Sequence, residues 1–431
     1  MKATLTRLYN AAVRDALPET CLPPHLPAPP APDEGRLVIF AIGKAAAAMA
    51  AVTEDYYDRL FPGTHIEGLA LTRHGHALPT RHVEVLEGGH PVPDAAGEAA
   101  SKRLLRLAEW AGPEDLALVL LSGGGSALTV QPMPGLTLAD EIYLTKALLA
   151  SGKPIGDINC VRKHISRIKG GRLAGAIHPA RSLTLAISDV AGDQPSTIAS
   201  GPTVPDTTSR QRVMAVLDAL SPPIPQALRD IIEALPETPK PGADIFAHAR
   251  YKLIASGTAS LGAAAAVARA AGYEPLPLGD GLEGEAIHLA ERHAERALNA
   301  RAKGEKLAII SGGEAAVTFT GTGPGAKARG GPNQEYALAL AIALNGAEGI
   351  SALAADTDGI DGGTGAACDP AGAFVMPDTL KRASERGLDA KAALERHDSG
   401  TFFAELDDLL KTGPSYTNVN DFRAILVESE I

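Results

Sequence analysis

The sequence has few aromatic residues, few cysteines and no long apolar run. Aromatic residues make up 4% of the 431 residues, against 45% for hydrophobic residues as a whole, so the core must be built mainly from small and aliphatic side chains. Cys21, Cys160 and Cys368 are an odd number without the spacing of a metal site, which predicts reduced thiols in a cytoplasmic protein. No apolar run approaches the roughly 18 residues of a transmembrane helix, so we expect no membrane association.

An excess of positive charge is also lacking. The chain has 40 Lys and Arg against 51 Asp and Glu, a formal net charge of −11. Nucleic acids and anionic membranes are bound by basic surfaces, so we expect neither as a partner. Any anionic ligand must be held by a local site, against the overall charge. The N-terminal segment has the pattern of an amphipathic helix, and its charges at Arg7, Arg14 and Asp15 are unlike a secretory signal.

The length of the chain and the order of its apolar segments predict two α/β domains. A single core seldom extends over 431 residues, and the prolines in 235–244 predict a boundary that gives domains 1–240 and 245–431. Apolar segments alternate with helical patterns, which is typical of largely parallel sheets flanked by helices. The candidate strands are 36–42, 67–72, 116–121, 182–188, 252–255, 306–310 and 350–355. The Pro-rich segment 22–32 is either a mobile spacer or, as we expect, a strap laid over the surface.

Glycine is abundant, and in the first half it concentrates where predicted strands end. Gly43-Lys44 follows the first strand, the segment 122–126 (Ser-Gly-Gly-Gly-Ser) follows another, and Asp189 follows a third. A glycine there lets the chain turn sharply and lets a ligand approach the backbone, and consecutive free amides can form an anion-binding nest. Because parallel strands end at one edge of a sheet, we expect Lys44, the nest and Asp189 to share that edge. Asp189 could orient a hydroxyl or hold Mg²⁺.

Each of these features has a purely structural alternative. Lys44 can be a solvated lysine in a first helical turn, the three glycines a tight turn, and Asp189 an Asx-turn or a helix cap. The basic stretch 159–172 is either a solvated helix face or the lining of an anion cleft. His74 and His76, one glycine apart in a polar loop, are more often incidental than a metal pair.

The second half adds an arginine among glycines and a group of acidic residues. Arg329 lies in the glycine-rich segment 321–332, which is typical of a mobile strap that can bring a guanidinium onto a phosphoryl group. After the strand 350–355 come Asp356, Asp358 and Asp361, whose spacing does not fit an EF-hand. A loop that binds Mg²⁺ or a hydroxyl group is the remaining interpretation.

Together, these segments resemble the class II glycerate kinases. The matching stretches, in chain order, are 43–45, 88–94, 122–128, 169–173, 188–193, 200–203, 311–314, 329–335 and 356–362. The resemblance implies a Rossmann-like N-terminal domain, a MOFRL-type C-terminal domain, and ATP-dependent phosphorylation of the 2-hydroxyl of D-glycerate in the interdomain cleft. The resemblance does not decide whether the protein forms a homodimer, which stays a possibility.

The resemblance also implies roles for individual residues. Lys44, Asp189 and Arg329 would be catalytic, and Mg²⁺ would be held mainly through ATP, with Asp189 or Asp193 as a protein ligand. The residues that would bind substrate or nucleotide are Gly43, Ser122, Gly123, Gly124, Gly125, Ser126, Asp193, Glu314, Asn333, Glu335, Asp356 and Asp358.

Two other functions are alternatives. Some members of the family are labelled hydroxypyruvate reductase, but an NAD(P)H-dependent enzyme normally carries G-x-G-x-x-G after its first strand. Gly321-Thr322-Gly323 continues with Pro324 and Gly325 and does not supply that pattern. The second alternative is a non-catalytic sensor of phosphorylated hydroxy acids, which would bind 2- or 3-phosphoglycerate without turning over ATP.

Overall fold

The chain divides into two compact units in the computed structural model, which describes residues 1–31, 33–318, 329–363, 366 and 368–429. The N-terminal unit is Pro18–Ile254, and the C-terminal unit joins Met1–Leu17 to Ala255–Ile431. Two points differ from the predicted domains 1–240 and 245–431. The first helix belongs to the C-terminal unit, because Leu5 and Leu8 are buried in that unit's core. The boundary lies beyond 245, because residues 249–254 belong to a strand of the N-terminal sheet.

The N-terminal unit is built on a six-stranded sheet in the order β3-β2-β1-β4-β5-β6, and β1 to β5 pair in parallel. The strands are β1 Leu37–Ile42, β2 Ile66–Arg73, β3 Val83–Gly88, β4 Leu116–Leu121, β5 Arg181–Ile187 and β6 Ala249–Ala255. Every residue of β1 and β4 is buried, as expected for central parallel strands covered on both faces. This is the strand order of doubly wound nucleotide-binding folds.

Helices flank this sheet. They are α2 Pro18–Cys21, α3 Ala46–Leu60, α4 Ala95–Glu109, α5 Gly125–Leu128, α6 Leu138–Ala150, α7 Ile155–His164, α8 Arg172–Ile177, α9 Arg210–Asp218 and α10 Gln226–Ala234, with 3₁₀ turns at Pro23–His25, Ile198–Ser200 and Asp244–Phe246. The Pro-rich segment is a surface strap as expected, because the Tyr57 hydroxyl donates to Pro27 O at 2.8 Å and Leu26 is buried.

The C-terminal unit has a mixed sheet in the order β13-β12-β11-β14-β9-β7. Its strands are β7 Glu274–Pro277, β9 Leu307–Ser311, β11 Ile350–Asp356, β12 Gly372–Val375, β13 Leu409–Leu410 and β14 Asp421–Val427, and the short strands β8 Glu283–Glu285 and β10 Glu314–Ala316 form a separate parallel pair. The two-domain α/β class is confirmed, but this sheet is not largely parallel. Two strands are responsible. The buried strand β14, which was not predicted, runs antiparallel between β9 and β11, and β12 runs antiparallel to β11 and β13.

Helices cover both faces of the C-terminal sheet. They are α1 Lys2–Asp15, α11 Gly257–Ala270, α12 Ala286–Ala302, α13 Pro332–Leu344, α14 Thr379–Glu385, α15 Ala390–Glu395 and α16 Ser399–Leu406. Along β11, Leu353 and Ala355 join the core under α1 and α11, whereas Ala352 and Ala354 join the core under α12 and α13. This alternation follows from the two-residue period of a strand. Within the described ranges, no helix is both long and apolar enough to span a bilayer.

Candidate functional site

Three loops of the N-terminal unit leave the sheet side by side. Ile42 pairs with Leu121, and Leu121 pairs with Ala186, so the chain segments that follow β1, β4 and β5 begin in line. Neighbouring strands lie about 4.8 Å apart, which places the ends of β1 and β5 about 10 Å from each other. Strand order reverses between β1 and β4, and in open α/β sheets ligands bind at that point, beyond the carboxyl ends of the strands.

The loops after β1 and β4 are tied together through their backbones. Lys44 N–H donates to Gly123 O at 2.8 Å, and Ala45 N–H donates to Ser122 Oγ at 3.0 Å. Gly43 has φ +125°, and a Cβ at that position would overlap the Oγ and carbonyl oxygen of Ser122. Only glycine fits there, so Ser122 and Gly43 act as a structural clamp beneath Lys44. The side chain of Lys44 is half-buried.

The glycine-rich loop after β4 is braced from outside by the turn 199–201. Ser126 Oγ lies 2.7 Å from Ser200 Oγ, and Ser200 Oγ donates to Asn159 Oδ1 at 3.3 Å. Ala199 and Ser200 have φ values of 50° and 58°, a left-handed conformation that costs energy for residues other than glycine. Such strain persists where the surroundings enforce it, and it concentrates at functional sites.

Ser200 was not among the residues predicted to form the site. It lies in the segment 200–203, which resembles the family but gives no role to this serine. The strained backbone that singles it out is visible only in the structure.

Asp189 and Asp193 lie on the loop after β5 and are both half-buried. Ser188 Oγ accepts from Val190 N–H at 3.2 Å, and Asp193 N–H donates to Val190 O at 3.0 Å, which fixes this loop. Burial raises the pKa of Tyr251, and the negative charge of Asp193 raises it further. Because β5 pairs with β4, and β4 pairs with β1, Asp189 lies at the same sheet edge as Lys44, two strands away.

The basic stretch 159–172 is largely neutralised by carboxylates of its own unit. Lys163 Nζ donates to Asp206 at 2.7 Å, and Lys169 Nζ donates to Glu141 at 2.8 Å. All four side chains are buried, and burial lowers the pKa of Lys169. These two lysines are neither a solvated face nor the lining of an anion cleft. They are internal ion pairs.

Arg329 lies at the surface of the C-terminal unit. Its backbone is held by His397 O, which accepts from Arg329 N–H at 3.0 Å, and by Gly400 N–H, which donates to Arg329 O at 2.6 Å. Its side chain is exposed at a cavity of about 680 Å³ that is also lined by Gln334 and Asp361. The predicted strap residues 321–328, with Lys327, lie outside the described residues.

Behind Arg329, the first turn of α13 is capped by a buried carboxylate. Asp361 accepts the backbone N–H groups of Asn333 and Gln334 at 3.0 and 2.8 Å. Burial raises the pKa of Asp361 to about 6, and nearby Asp421 raises it too, although the two amide donors oppose the shift. Asn333 Nδ2 bridges the two carboxylates, at 3.2 Å from Asp361 and 2.6 Å from Asp421. The Nδ2 group of Asn333 thus binds two carboxylates of the protein itself. The predicted ligand contact of Asn333 stays a prediction.

The other predicted binding residues of this unit also have protein partners. His397 Nδ1 donates to Glu335 at 2.9 Å, and burial raises the pKa of Glu335 while His397 lowers it. Asp356 and Asp358 each accept an N–H two residues ahead at 2.9 Å, which is the Asx-turn arrangement. Glu314 is exposed on β10.

No group of three His, Cys, Asp or Glu side chains with metal-site geometry occurs in the part of the chain that the structure describes. In the polar loop after β2, His74 Nε2 donates to Asp94 Oδ2 at 2.7 Å, and His76 N–H donates to Glu87 at 3.1 Å. The cysteines Cys21, Cys160 and Cys368 are free thiols.

Comparison with known proteins matches both units. A family model described as "Domain of unknown function (DUF4147)" matches residues 4–233, and the MOFRL family model matches residues 307–421. The D-glycerate 2-kinase of Thermotoga maritima is 36% identical over 90% of this chain and 89% of its own. A protein of Agrobacterium vitis provisionally named hydroxypyruvate reductase is 45% identical over 99% of this chain and 94% of its own. The crystal structure of the glycerate kinase from Thermotoga maritima superposes with a TM-score of 0.84 at 34% identity, covering 99% of both chains.

Proposed function

Because the chain belongs to the glycerate kinase family, in which a DUF4147 domain is combined with a MOFRL domain, we propose that it phosphorylates D-glycerate with ATP. The product is 2-phosphoglycerate. The observation that carries this proposal is the sheet edge of the N-terminal unit, where Lys44, the glycine-rich loop 122–126 and Asp189 follow three adjacent parallel strands.

The proposed reaction needs charge neutralisation more than covalent chemistry. In phosphoryl transfer the transition state spreads negative charge over the phosphoryl oxygens. Lys44 and the amides of the glycine-rich loop supply positive charge where that group would lie. A bond forms between the C2 oxygen of glycerate and the γ-phosphorus, the bond from that phosphorus to the ADP oxygen breaks, and the hydroxyl proton passes to the carboxylate of Asp189.

The residues at this edge also fit a magnesium nucleotide. Mg²⁺ in kinases is held by one or two carboxylates together with the phosphates and water, not by an all-protein cage. The absence of a three-ligand cluster from the described residues is compatible with that mode. Because Asp189 is the proposed proton acceptor, Asp193 on the same loop is the carboxylate that would hold the ion, which would neutralise phosphate charge when bound.

We propose that Arg329 of the C-terminal unit acts on the same phosphoryl group. Its guanidinium is exposed, and its backbone is fixed on both sides by His397 and Gly400. A guanidinium presents a planar, permanently charged fork that matches phosphate geometry.

A reductase is the second candidate, because two Agrobacterium vitis relatives at 45% identity carry that name provisionally. The strand order is shared with dinucleotide-binding folds. However, β1 is followed by Gly43, Lys44 and four alanines, not by G-x-G-x-x-G, and β2 ends at Arg73 where an NAD-binding chain would place an acidic residue. The residues therefore favour the kinase.

Two assays on the purified protein separate the candidates. The first combines ATP, Mg²⁺ and D-glycerate and identifies the product by ³¹P NMR, which distinguishes 2- from 3-phosphoglycerate. The second follows NADH or NADPH oxidation with hydroxypyruvate. We expect turnover in the first assay only. Turnover in the second alone would replace the kinase by the reductase, and tight binding of 2-phosphoglycerate without turnover in either would establish a sensor.

A further inference from the structure

A fourth loop reaches the site from β3, a strand that is not adjacent to β1 or β4. This loop, residues 89–94, is gathered around the carboxylate of Asp94. Asp94 accepts the N–H of Gly97 at 2.8 Å and the imidazole of His74 at 2.7 Å, and Gly89 N–H also donates to it. Burial opposes ionisation of Asp94, but these donors outweigh it and lower its pKa. The carboxylate of Asp94 thus holds the loop in place.

The loop places the imidazole of His90 against the glycine-rich segment. A Cβ built on Gly124 would lie 3.0 Å from His90 Nε2 and 3.3 Å from Lys44 Cγ. The two side chains therefore pack on the same face of Gly124, one from the loop after β3 and the other from the loop after β1. Gly124 has φ +80°, so its lack of a side chain serves both the turn and this close approach.

An anion that approaches the glycine-rich loop from this face meets two nitrogen-bearing side chains. Lys44 alone supplies a flexible ammonium with no preferred direction. An imidazole held by an anchored loop adds a directional N–H donor, and donors with fixed positions stabilise oxyanions without reorganisation. Nothing in the reaction as proposed above uses His90.

We propose that His90 is a ligand-contacting residue that donates Nε2–H to an oxyanion held at Gly124. This inference rests on the proposed function for the identity of the oxyanion. It belongs either to the terminal phosphate of ATP or to the carboxylate of glycerate, and the kinetic constants of the two substrates distinguish these sources.

The test compares three variants of the full-length protein. H90A removes the donor, H90Q keeps an N–H at about the reach of Nε2, and H82A is the matched control. His82 lies just before β3, at the opposite end of the strand that leads to His90, and is exposed beside Asp58. Steady-state kinetics with each substrate varied in turn give kcat and both KM values, and thermal unfolding verifies the fold.

We expect H90A to raise the KM of one substrate about 10- to 100-fold, the range for a hydrogen bond to a charged group. H90Q should recover most of that loss, and H82A should stay within about twofold of wild type. The inference is overturned if folded H90A matches H82A, or if H90Q is as impaired as H90A, since the imidazole would then only fill space.

Binding measurements keep this inference separate from the proposed function. Calorimetric titration with ATP, and separately with D-glycerate, needs no turnover. If wild type binds one of these ligands without phosphorylating glycerate, the proposed function fails, whereas weaker binding to H90A with recovery in H90Q still supports the contact. If wild type and H90A bind both ligands equally, the contact does not exist.

Discussion

Ser126 and Ser200 are joined through their hydroxyl oxygens, 2.7 Å apart, and this contact connects the glycine-rich loop after β4 to the strained turn 199–201. Ser200 in turn donates to Asn159 of α7. The loop that is proposed to hold the phosphate is thereby braced by two elements, the turn 199–201 and α7, to which we assign no ligand contact. Its shape depends on buried polar contacts that lie behind it.

Replacing Ser200 by alanine should loosen the loop without unfolding the unit. One neutral hydrogen bond contributes about 1 kcal/mol, so we expect S200A to lower kcat/KM about three- to tenfold and to change Tm by only a few degrees. S384A, an exposed serine of α14, is the control. Wild-type kinetics for S200A would mean that the hydroxyl contact does not shape the site.

Gly43 offers a test of the clamp between β1 and β4. G43A introduces a Cβ that would overlap Ser122, whereas G63A adds a Cβ with no heavy atom within 4 Å, and both positions have positive φ. Both variants carry the backbone cost of a positive φ, which is about 1–2 kcal/mol for a left-handed residue. We therefore expect G63A to lose only that much stability and keep its activity, and G43A to lose more stability and most of its activity. If G43A and G63A lose similar amounts of stability and activity, the loop around Ser122 must shift to accommodate the added Cβ at little cost in free energy.

The strands of the N-terminal unit could largely be predicted because a buried parallel strand is a continuous apolar run, as in 37–42 and 116–121. The register that brings Gly43, Ser122 and Asp189 to one edge followed from the parallel arrangement alone. What could not be predicted was contact at long range. Nothing local indicates that Ser200 touches Ser126, or that the loop after β3 reaches Gly124.

The second sheet shows the same limit. Its β14 reads Asp-Phe-Arg-Ala-Ile-Leu-Val, and a buried arginine makes that segment look half-exposed. In the structure Arg423 is neutralised by Asp421, donates to Gly312 O at 2.8 Å and lies over the ring of Tyr336. Because Gly312 and Tyr336 come from distant segments, the burial of Arg423 could not be predicted locally, and the strand with its antiparallel pairing was missed.

The buried pair of Lys169 and Glu141 predicts non-additive stability. Removing one partner leaves an uncompensated buried charge, which costs about 3–5 kcal/mol, whereas removing both leaves an apolar contact. We expect E141L to be strongly destabilised and E141L/K169M to recover most of that loss in denaturant unfolding. Additive losses in the double variant would show that water or another group solvates the lysine.

Arg329 should affect the chemical step more than the fold. By comparison with guanidinium groups that stabilise phosphoryl transfer, R329A should lower kcat by on the order of 10³, and R329K should recover part of it because lysine lacks the planar fork. Arg396, an exposed arginine of the same unit, supplies the control R396A. A loss of tenfold or less in folded R329A would remove this residue from the chemistry.

Asp361 should make the stability of the protein depend on pH in an unusual direction. Its pKa is about 6 in the folded chain, against an ordinary pKa of 3.8 for an aspartate side chain, so between about pH 4 and pH 6 the native state binds more protons than the unfolded state. The free energy of unfolding should then fall as pH rises through that window, by about 3 kcal/mol from this group. Most paired carboxylates act in the opposite sense, because their pKa values are lowered on folding.

The variant D361N removes the titration. Its single amide oxygen can replace only one of the two carboxylate oxygens that accept N–H groups from the first turn of α13, so we expect D361N to be less stable overall, and the comparison with wild type is of the slopes against pH. Thermal or urea unfolding between pH 4 and 7.5 should show a decline in wild type that is absent from D361N, so the two curves converge towards neutral pH or cross. D230N, at an exposed position in α10, should follow the wild-type curve. Parallel curves for wild type and D361N across the whole range would mean that Asp361 ionises as easily in the folded chain as in the unfolded one.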